Sequence, residues 1–194
     1  MKVTARVCLI AAAFLIGLCT EAQESSGNWD IFIWVSGSTG EELTNSFGEA
    51  QLWSAGVFVG RPITAEVGKG WRRGRLEYGM NLLPVFAQSR PRLLYGGGFE
   101  PVVLRWNSSI RLREAHPYVE LAGGALRSTG NLPSGDTSSF NFSAKGGGGL
   151  SIPLGKRSLV DFGLRWTHIS NANLGKRNPE FNGIEVRIGY HWMR

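Results

Sequence analysis

Alternation of apolar and polar residues is the dominant pattern in this chain, and no stretch shows a convincing helical period. Residues two apart share one face of a β-strand, so this pattern predicts strands with one apolar face. Eight segments show it, with turn-rich sequence between them. Their approximate bounds are 29–37, 49–60, 71–85, 95–107, 117–128, 139–152, 158–170 and 183–192. We therefore expect an all-β protein.

Charges of both signs recur on the polar face of several predicted strands. These residues are Arg75, Glu77, Arg105, Lys145, Asp161, Arg165 and Arg187. In a water-soluble β-sandwich or a lipocalin-like barrel, this face would be the solvated outside. In an outer-membrane barrel it would line the interior, and the apolar face would meet lipid. Alternation alone does not choose between these architectures.

Three further features favour the membrane barrel. The predicted strands are near the roughly ten residues that a tilted spanning strand needs. The opposite charges are mixed with many of the 27 glycines, which suits a narrow interior filled by paired side chains. Aromatic residues fall near predicted strand ends, where interfacial girdles form; they are Trp29, Trp34, Trp53, Trp71, Tyr95, Trp106, Trp166, Tyr190 and Trp192. We predict an eight-stranded antiparallel transmembrane β-barrel, closed so that no sheet edge is exposed.

The front of the chain has the pattern of a secretory signal peptide. Lys2 and Arg6 precede an apolar run over 7–19 that is too short for a spanning helix. We place cleavage after Ala22, so that 1–22 is the signal and 23–194 is one barrel domain of the cell outer membrane. A lipoprotein anchored at Cys19 is a weaker alternative, because a bulky leucine precedes that cysteine. Both cysteines lie in the signal, so the mature chain can form no disulfide.

Charge and histidine content limit the partners. The formal net charge of +6 is modest, and the sequence has no basic cluster with interleaved aromatic residues. These features, together with export from the cell, argue against a nucleic-acid partner. Three scattered histidines without cysteine do not suggest a metal site. We expect no metal or cofactor, and the sequence leaves a homodimer open.

One predicted strand ends in residue types that can carry out chemistry. His168 and Ser170 are two apart, so they share a face at the end of an apolar stripe. A serine becomes a nucleophile when a histidine accepts its proton and a carboxylate orients that histidine. Glu185 starts the next antiparallel strand, so the hairpin returns it toward His168. By itself a His-x-Ser pair is a weak signal, and a surface histidine beside a turn is the plainer interpretation.

A family resemblance strengthens this interpretation. The run from His168 to Ala172, followed by Leu174-Gly175-Lys176 and by Asn182-Gly183-Ile184-Glu185, resembles the lipid A 3-O-deacylase (PagL) family. The block over 97–106 is similar to PagL-like proteins as well. The resemblance implies an eight-stranded outer-membrane barrel that hydrolyses an ester-linked acyl chain of lipid A.

The resemblance also implies roles for individual residues. His168 would be the general base, Ser170 the nucleophile, Asn171 a contributor to the oxyanion hole and Glu185 the acid. Asn178 and Asn182 are both candidates for a further loop asparagine of the family.

Alternation conflicts with the role of Glu185. It places Glu185 on the inward face with Arg187, whereas His168 points outward. A bulge near Gly183 would turn the carboxylate outward; otherwise Glu185 is an interior partner of Arg165 or Arg187.

We expect an outer-membrane serine esterase that removes the 3-O-linked acyl chain from lipid A, with lipid A and outer-membrane lipids as its partners. The alternatives are a non-enzymatic structural or adhesion barrel and an outer-membrane phospholipase.

Overall fold

The computed structural model describes residues 29–41, 46, 49–90, 92–132, 137–155 and 158–192. Eight strands run through these ranges: β1 (Asp30–Gly40), β2 (Gln51–Pro62), β3 (Gly74–Arg90), β4 (Leu94–Ser108), β5 (His116–Leu132), β6 (Ser138–Pro153), β7 (Ser158–Ser170) and β8 (Phe181–Trp192). A single turn of 3-10 helix (Gly70–Arg72) precedes β3. The predicted signal peptide lies outside the described residues.

The strands close into one antiparallel barrel. Each strand pairs with the next along the chain, and β1 pairs with β8. The predicted eight-stranded barrel is therefore confirmed. No helix in the described ranges is long and apolar enough to cross a membrane. We call the end where β1, β3, β5 and β7 finish the outer rim.

The faces of the strands have the arrangement of a membrane barrel. Apolar side chains of the outward face are exposed, as at Val35 (58 %), Leu121 (63 %) and Leu164 (57 %). Charged side chains of the inward face are buried, including Arg105, Arg165 and Arg187 at 1 % or less. A soluble sandwich would have the reverse arrangement, so the polar face lines the interior.

Trp34 departs from the predicted aromatic girdle. Its side chain is 2 % exposed and lies inside the barrel, where Nε1–H donates to Asn81 Oδ1 at 3.1 Å. Trp29, Trp53, Trp71 and Tyr95 are more than half exposed, as the girdle predicts.

A network of ion pairs fills the middle of the barrel. Glu120 accepts from Arg165 at 2.7 Å and from Arg187 at 2.8 Å. Lys145 lies 3.0 Å from Glu100 and 3.3 Å from Glu185. Removing one partner of such a buried pair leaves an uncompensated charge, which costs about 3–5 kcal/mol. The network therefore fixes the strands on which the site is built.

Above this network, an apolar cluster closes the interior at the outer rim. It consists of Ala50, Leu52, Phe86, Leu94, Leu126, Leu132, Ile169 and Phe181. Ile169 pairs directly with Phe181 across β7 and β8, and both are 3 % exposed or less. Ile169 and Phe181 thus point inward. Because neighbours along a strand face opposite sides, His168, Ser170 and Asn182 face outward.

Candidate active site

His168 and Ser170 form a hydrogen-bonded pair on the outward face of β7. The distance from His168 Nε2 to Ser170 Oγ is 3.2 Å, and both residues are half-buried. The sequence predicted this pair from its spacing, and the structure brings the two side chains together. The pair meets the geometric requirement for a nucleophile and its base.

Asn182, the second residue of β8, holds the other nitrogen of the His168 ring. It is the cross-strand neighbour of His168, and its Oδ1 lies 2.8 Å from His168 Nδ1. An amide oxygen can only accept, so Nδ1 carries the proton and Nε2 is left free to accept from Ser170. The geometry therefore selects the tautomer that a general base requires.

Glu180 fixes the orientation of the Asn182 amide. Asn182 Nδ2 donates to Glu180 Oε2 at 3.4 Å, so the amide nitrogen points toward the carboxylate and Oδ1 toward His168. Asn182 is only 7 % exposed, and its backbone N–H donates to Ser46 Oγ at 3.3 Å. Glu180, Asn182, His168 and Ser170 form one hydrogen-bonded chain at the outer rim.

Glu185, predicted as the acid, does not meet His168. It pairs directly with Arg165 across β7 and β8 and points into the interior, 3 % exposed. Its carboxylate accepts from the Arg165 guanidinium and from Thr167 Oγ1 at 3.2 Å. The register of β7 and β8 runs from Ser158–Trp192 to Ile169–Phe181 without a bulge, so nothing turns Glu185 outward. The triad prediction is corrected here: Asn182 occupies the position that Glu185 was expected to fill.

Asn171, predicted to contribute to the oxyanion hole, is buried and organises the loop after β7. Its backbone N–H donates to Asn178 Oδ1 at 2.8 Å, and its Nδ2 donates to Arg177 O at 2.8 Å. Asn171 therefore holds the loop through its backbone N–H and one hydrogen of its side-chain amide.

A tight turn follows Asn171 directly. Leu174 N–H donates to Asn171 O at 2.9 Å, and the two central residues have positive φ, 51° at Ala172 and 65° at Asn173. These are the features of a type I′ turn. Left-handed backbone costs free energy at residues other than glycine, and such strain concentrates at functional sites. Ala172 and Asn173, the central residues of this turn, follow Ser170 by two and three residues in the chain.

Apolar side chains flank the pair on the outward face. Phe142 of β6 is the cross-strand neighbour of Ser170 and packs edge-on against Phe140, with ring centroids 5.3 Å apart. Trp166 lies below His168 on the same face of β7. These three rings are 39–41 % exposed. An acyl chain passing Ser170 along the barrel wall would contact them.

Sequence reasoning missed Asn182 as the partner of His168. The strand was predicted to begin at Gly183, whereas β8 begins at Phe181. The alternation contained the signal: Asn182 is an even number of residues from Val186 and Ile188, so it lies on the same outward face. No group of three or more His, Cys, Asp or Glu in the described ranges is placed to hold a metal ion.

Comparison with known proteins identifies the family. The family model described as lipid A 3-O-deacylase (PagL) matches residues 47–191. No curated protein sequence matches the chain significantly. The crystal structure of the outer membrane enzyme PagL is 20 % identical, with a TM-score of 0.54 over 85 % of this chain and 99 % of that one. Neisserial surface protein A is 15 % identical, with a TM-score of 0.55 over 88 % of this chain and 100 % of that one. At these identities the two structures show the shared barrel fold.

The barrel, with its exposed apolar face, is an outer-membrane protein, and the chain belongs to the lipid A 3-O-deacylase (PagL) family.

Proposed function

We propose that this protein is an outer-membrane serine esterase that removes the 3-O-linked acyl chain from lipid A. Family membership supports lipid A as the substrate and hydrolysis as the reaction. The observation that carries the assignment is the 3.2 Å contact between His168 Nε2 and Ser170 Oγ on a face directed at lipid.

The reaction proceeds in two steps at Ser170. His168 Nε2 takes the proton from Ser170 Oγ, which attacks the ester carbonyl and forms a tetrahedral oxyanion. The bond between the carbonyl carbon and the sugar oxygen breaks, and His168 gives its proton to that oxygen, which leaves as a hydroxyl. A water then attacks the acyl-enzyme with His168 again as base, which releases the fatty acid and restores Ser170.

Asn182 holds the His168 ring throughout this cycle. Its Oδ1 accepts the Nδ1–H bond before and after Nε2 is protonated, so the ring stays aimed at Ser170. Cys-His-Asn proteases use an asparagine in the same position. The Glu180 carboxylate behind the Asn182 amide supplies negative charge for the imidazolium through one intervening group.

The backbone N–H groups of Ala172 and Asn173 are the donors that we assign to the oxyanion. Their left-handed conformation belongs to the turn that directly follows Ser170 and Asn171. Oxyanion donors of this kind contribute about 2.7–4 kcal/mol each in other hydrolases. We prefer them to the Asn171 side chain, because its backbone N–H and one hydrogen of its amide hold the loop.

Phe140, Phe142 and Trp166 align the acyl chain. In a bilayer an acyl chain gains little hydrophobic energy by moving from lipid to an apolar wall, because both surroundings are hydrocarbon. The three rings therefore act through shape, keeping the chain beside Ser170. We orient the barrel with the end where β1 begins and β8 finishes toward the periplasm, which puts the outer rim in the extracellular leaflet, where lipid A resides.

Mass spectrometry of lipid A from cells that express the protein tests the proposal. The wild type should produce lipid A lighter by one acyl chain, and Ser170→Ala should leave it unchanged while still folding into a heat-modifiable barrel. Full activity in Ser170→Ala would refute the assigned nucleophile. Unchanged lipid A with the wild type would favour a non-enzymatic barrel, and hydrolysis of glycerophospholipid instead would identify a phospholipase.

A further inference from the structure

Arg127 carries a charge on a face that is otherwise uncharged. Among the described outward positions of β4 to β7, it is the single Arg, Lys, Asp or Glu, and it is exposed. The cost of an outward-facing Arg is about 2–4 kcal/mol at the bilayer midplane but only about 0–1 near an interface. Arg127 lies toward the outer end of β5, so it marks the level of the lipid headgroups.

Arg127 differs from the interior arginines in having no carboxylate partner among the described residues. Arg105, Arg165 and Arg187 each contact a buried Asp or Glu. Within the described ranges Arg127 forms no ion pair with any acidic side chain. A guanidinium at headgroup level with no ion-pair partner in these ranges can bind an anion of the lipid.

The register places Arg127 close to the active site. Arg127 pairs with Phe140, and Phe142, two residues further along β6, pairs with Ser170. Arg127 is therefore two strands and two residues from Ser170. At a strand spacing of about 4.8 Å and a rise of about 3.4 Å per residue, their Cα atoms are about 12 Å apart. If the side chain of Arg127 extends toward Ser170, the distance from its guanidinium to Ser170 Oγ falls to the size of a sugar headgroup.

The surroundings of Arg127 leave room for a ligand. It lines a shallow depression of about 700 Å³ together with Tyr95, Gly97 and Thr129. Gly97, directly opposite Arg127 on β4, contributes no side chain. A Cβ at the adjoining Gly96 would lie 2.1 Å from the Arg127 carbonyl oxygen, so the close strand approach excludes larger residues there.

A hydroxyl beside Arg127 completes a set of donors. Thr129 Oγ1 accepts the backbone N–H of Tyr95 at 3.2 Å, which leaves its own hydrogen to donate. Thr129 lies two residues beyond Arg127 on the same face of β5. A guanidinium fork with a hydroxyl donor suits a tetrahedral phosphate, whose oxygens accept two parallel bonds from one arginine.

We propose that Arg127, assisted by Thr129, binds a phosphate group on the headgroup of lipid A and so places the acyl ester over Ser170. This inference rests on the proposed function, since it assigns a second subsite to the same substrate. The phosphate is held beyond the Phe140–Phe142 pair, and the ester lies on its near side. Phosphorylation of the sugar would therefore determine how well the substrate binds, and not how fast the bound ester reacts.

Steady-state hydrolysis by purified protein in detergent micelles tests the subsite with two substrates, phosphorylated lipid A and the same lipid A after removal of its phosphates. Arg127→Gln should raise KM on the phosphorylated substrate about tenfold, as expected when a charge-assisted hydrogen bond is lost, and should leave kcat unchanged. On the dephosphorylated substrate the variant and the wild type should have the same KM.

Arg61→Gln is the matched control. Arg61 is also an exposed arginine at a strand end, but it stands over Trp29 at the opposite end of the barrel, 5.8 Å from the ring centroid. It should leave KM unchanged on both substrates. An equal KM for Arg127→Gln and the wild type on phosphorylated lipid A would overturn the inference. An equal rise in the KM of Arg127→Gln on both substrates would overturn it as well.

A binding measurement separates failure of this inference from failure of the proposed function. Ser170→Ala protein, with and without Arg127→Gln, is titrated with phosphorylated lipid A, with its dephosphorylated form and with a phosphate-bearing glycerophospholipid. Weaker binding of phosphorylated lipid A alone in the Arg127→Gln protein supports the subsite even if no hydrolysis is found. An identical loss for the glycerophospholipid would assign Arg127 to bulk lipid phosphate and overturn the placement of substrate.

Discussion

The role of Asn182 gives a sharp prediction, because a neutral amide stands where a serine hydrolase commonly has a carboxylate. Asn182→Ala removes the 2.8 Å bond to His168 Nδ1 and leaves the ring free to rotate and to change tautomer. Loss of one neutral hydrogen bond, worth about 1 kcal/mol, would lower kcat about fivefold. Selection of the wrong tautomer costs up to about 10⁴ in kcat in a serine protease. We therefore expect a decrease in kcat between these limits, with KM little changed.

Asn182→Asp is the conservative partner of that variant. An aspartate accepts the same Nδ1–H bond, so it should retain far more kcat than Asn182→Ala. It also places a second carboxylate beside Glu180, whose Oε2 lies 3.4 Å from Asn182 Nδ2 in the wild type. Combining it with Glu180→Gln removes this repulsion and supplies an amide donor to the new aspartate. The double variant should therefore exceed Asn182→Asp alone.

The assay is the initial rate of fatty-acid release from lipid A in micelles, with a heat-modifiability gel as the control for folding. Full kcat in folded Asn182→Ala would show that another group orients His168. Equal losses in Asn182→Ala and Asn182→Asp would show that the amide nitrogen matters and the accepting oxygen does not. Either result would refute the hydrogen-bonded chain from Glu180 to Ser170.

Two further predictions concern residues outside this chain. Glu185→Gln removes one of the two carboxylates that Arg165 and Lys145 each contact, and leaves them Glu120 and Glu100. It should therefore lower the free energy of unfolding in urea titrations by less than the about 3–5 kcal/mol of a fully unpaired buried charge, while kcat of the folded protein stays near wild type. The exposed control Glu114→Gln should change neither quantity, and a selective loss of kcat at full stability would restore Glu185 as the catalytic acid. In the turn after β2, hydrogen bonds from Ser109 and then Arg73 lower the pKa of Glu66. These bonds stabilise the folded protein above the ordinary pKa of a glutamate carboxyl, and their contribution is lost as the pH falls through the lowered pKa of Glu66. NMR titration should therefore show that Glu66 takes up its proton at a lower pH than a free glutamate does. An unshifted midpoint would contradict the contacts.

Much of the fold follows from the alternation, since a period of two fixes which residues share a face of every strand. The ends of the strands could not be predicted in the same way. Asn182-Gly183 resembles a turn in sequence, but Phe181 pairs with Ile169 inside the outer rim and extends β8 by two residues. Closure of the barrel, a property of the whole sheet, thus determined where the strand begins.

The site was predictable where it depended on one strand and unpredictable where it depended on two. The spacing of His168 and Ser170 sufficed to place them side by side. The partner of His168 depended on the register between β7 and β8, which pairs it with Asn182 and pairs Arg165 with Glu185. Proximity along the hairpin favoured Glu185 as the partner, but the inward orientation required by the pleat decided the outcome.

The central claim is that Ser170 carries the acyl group during the reaction. Mass spectrometry of the Ser170-containing peptide, after acid quenching of purified protein mixed with lipid A, tests it directly. The account predicts a mass increase of one acyl chain on Ser170 that is absent from His168→Ala. An acyl group on another residue, or turnover without any acylated peptide, would contradict it.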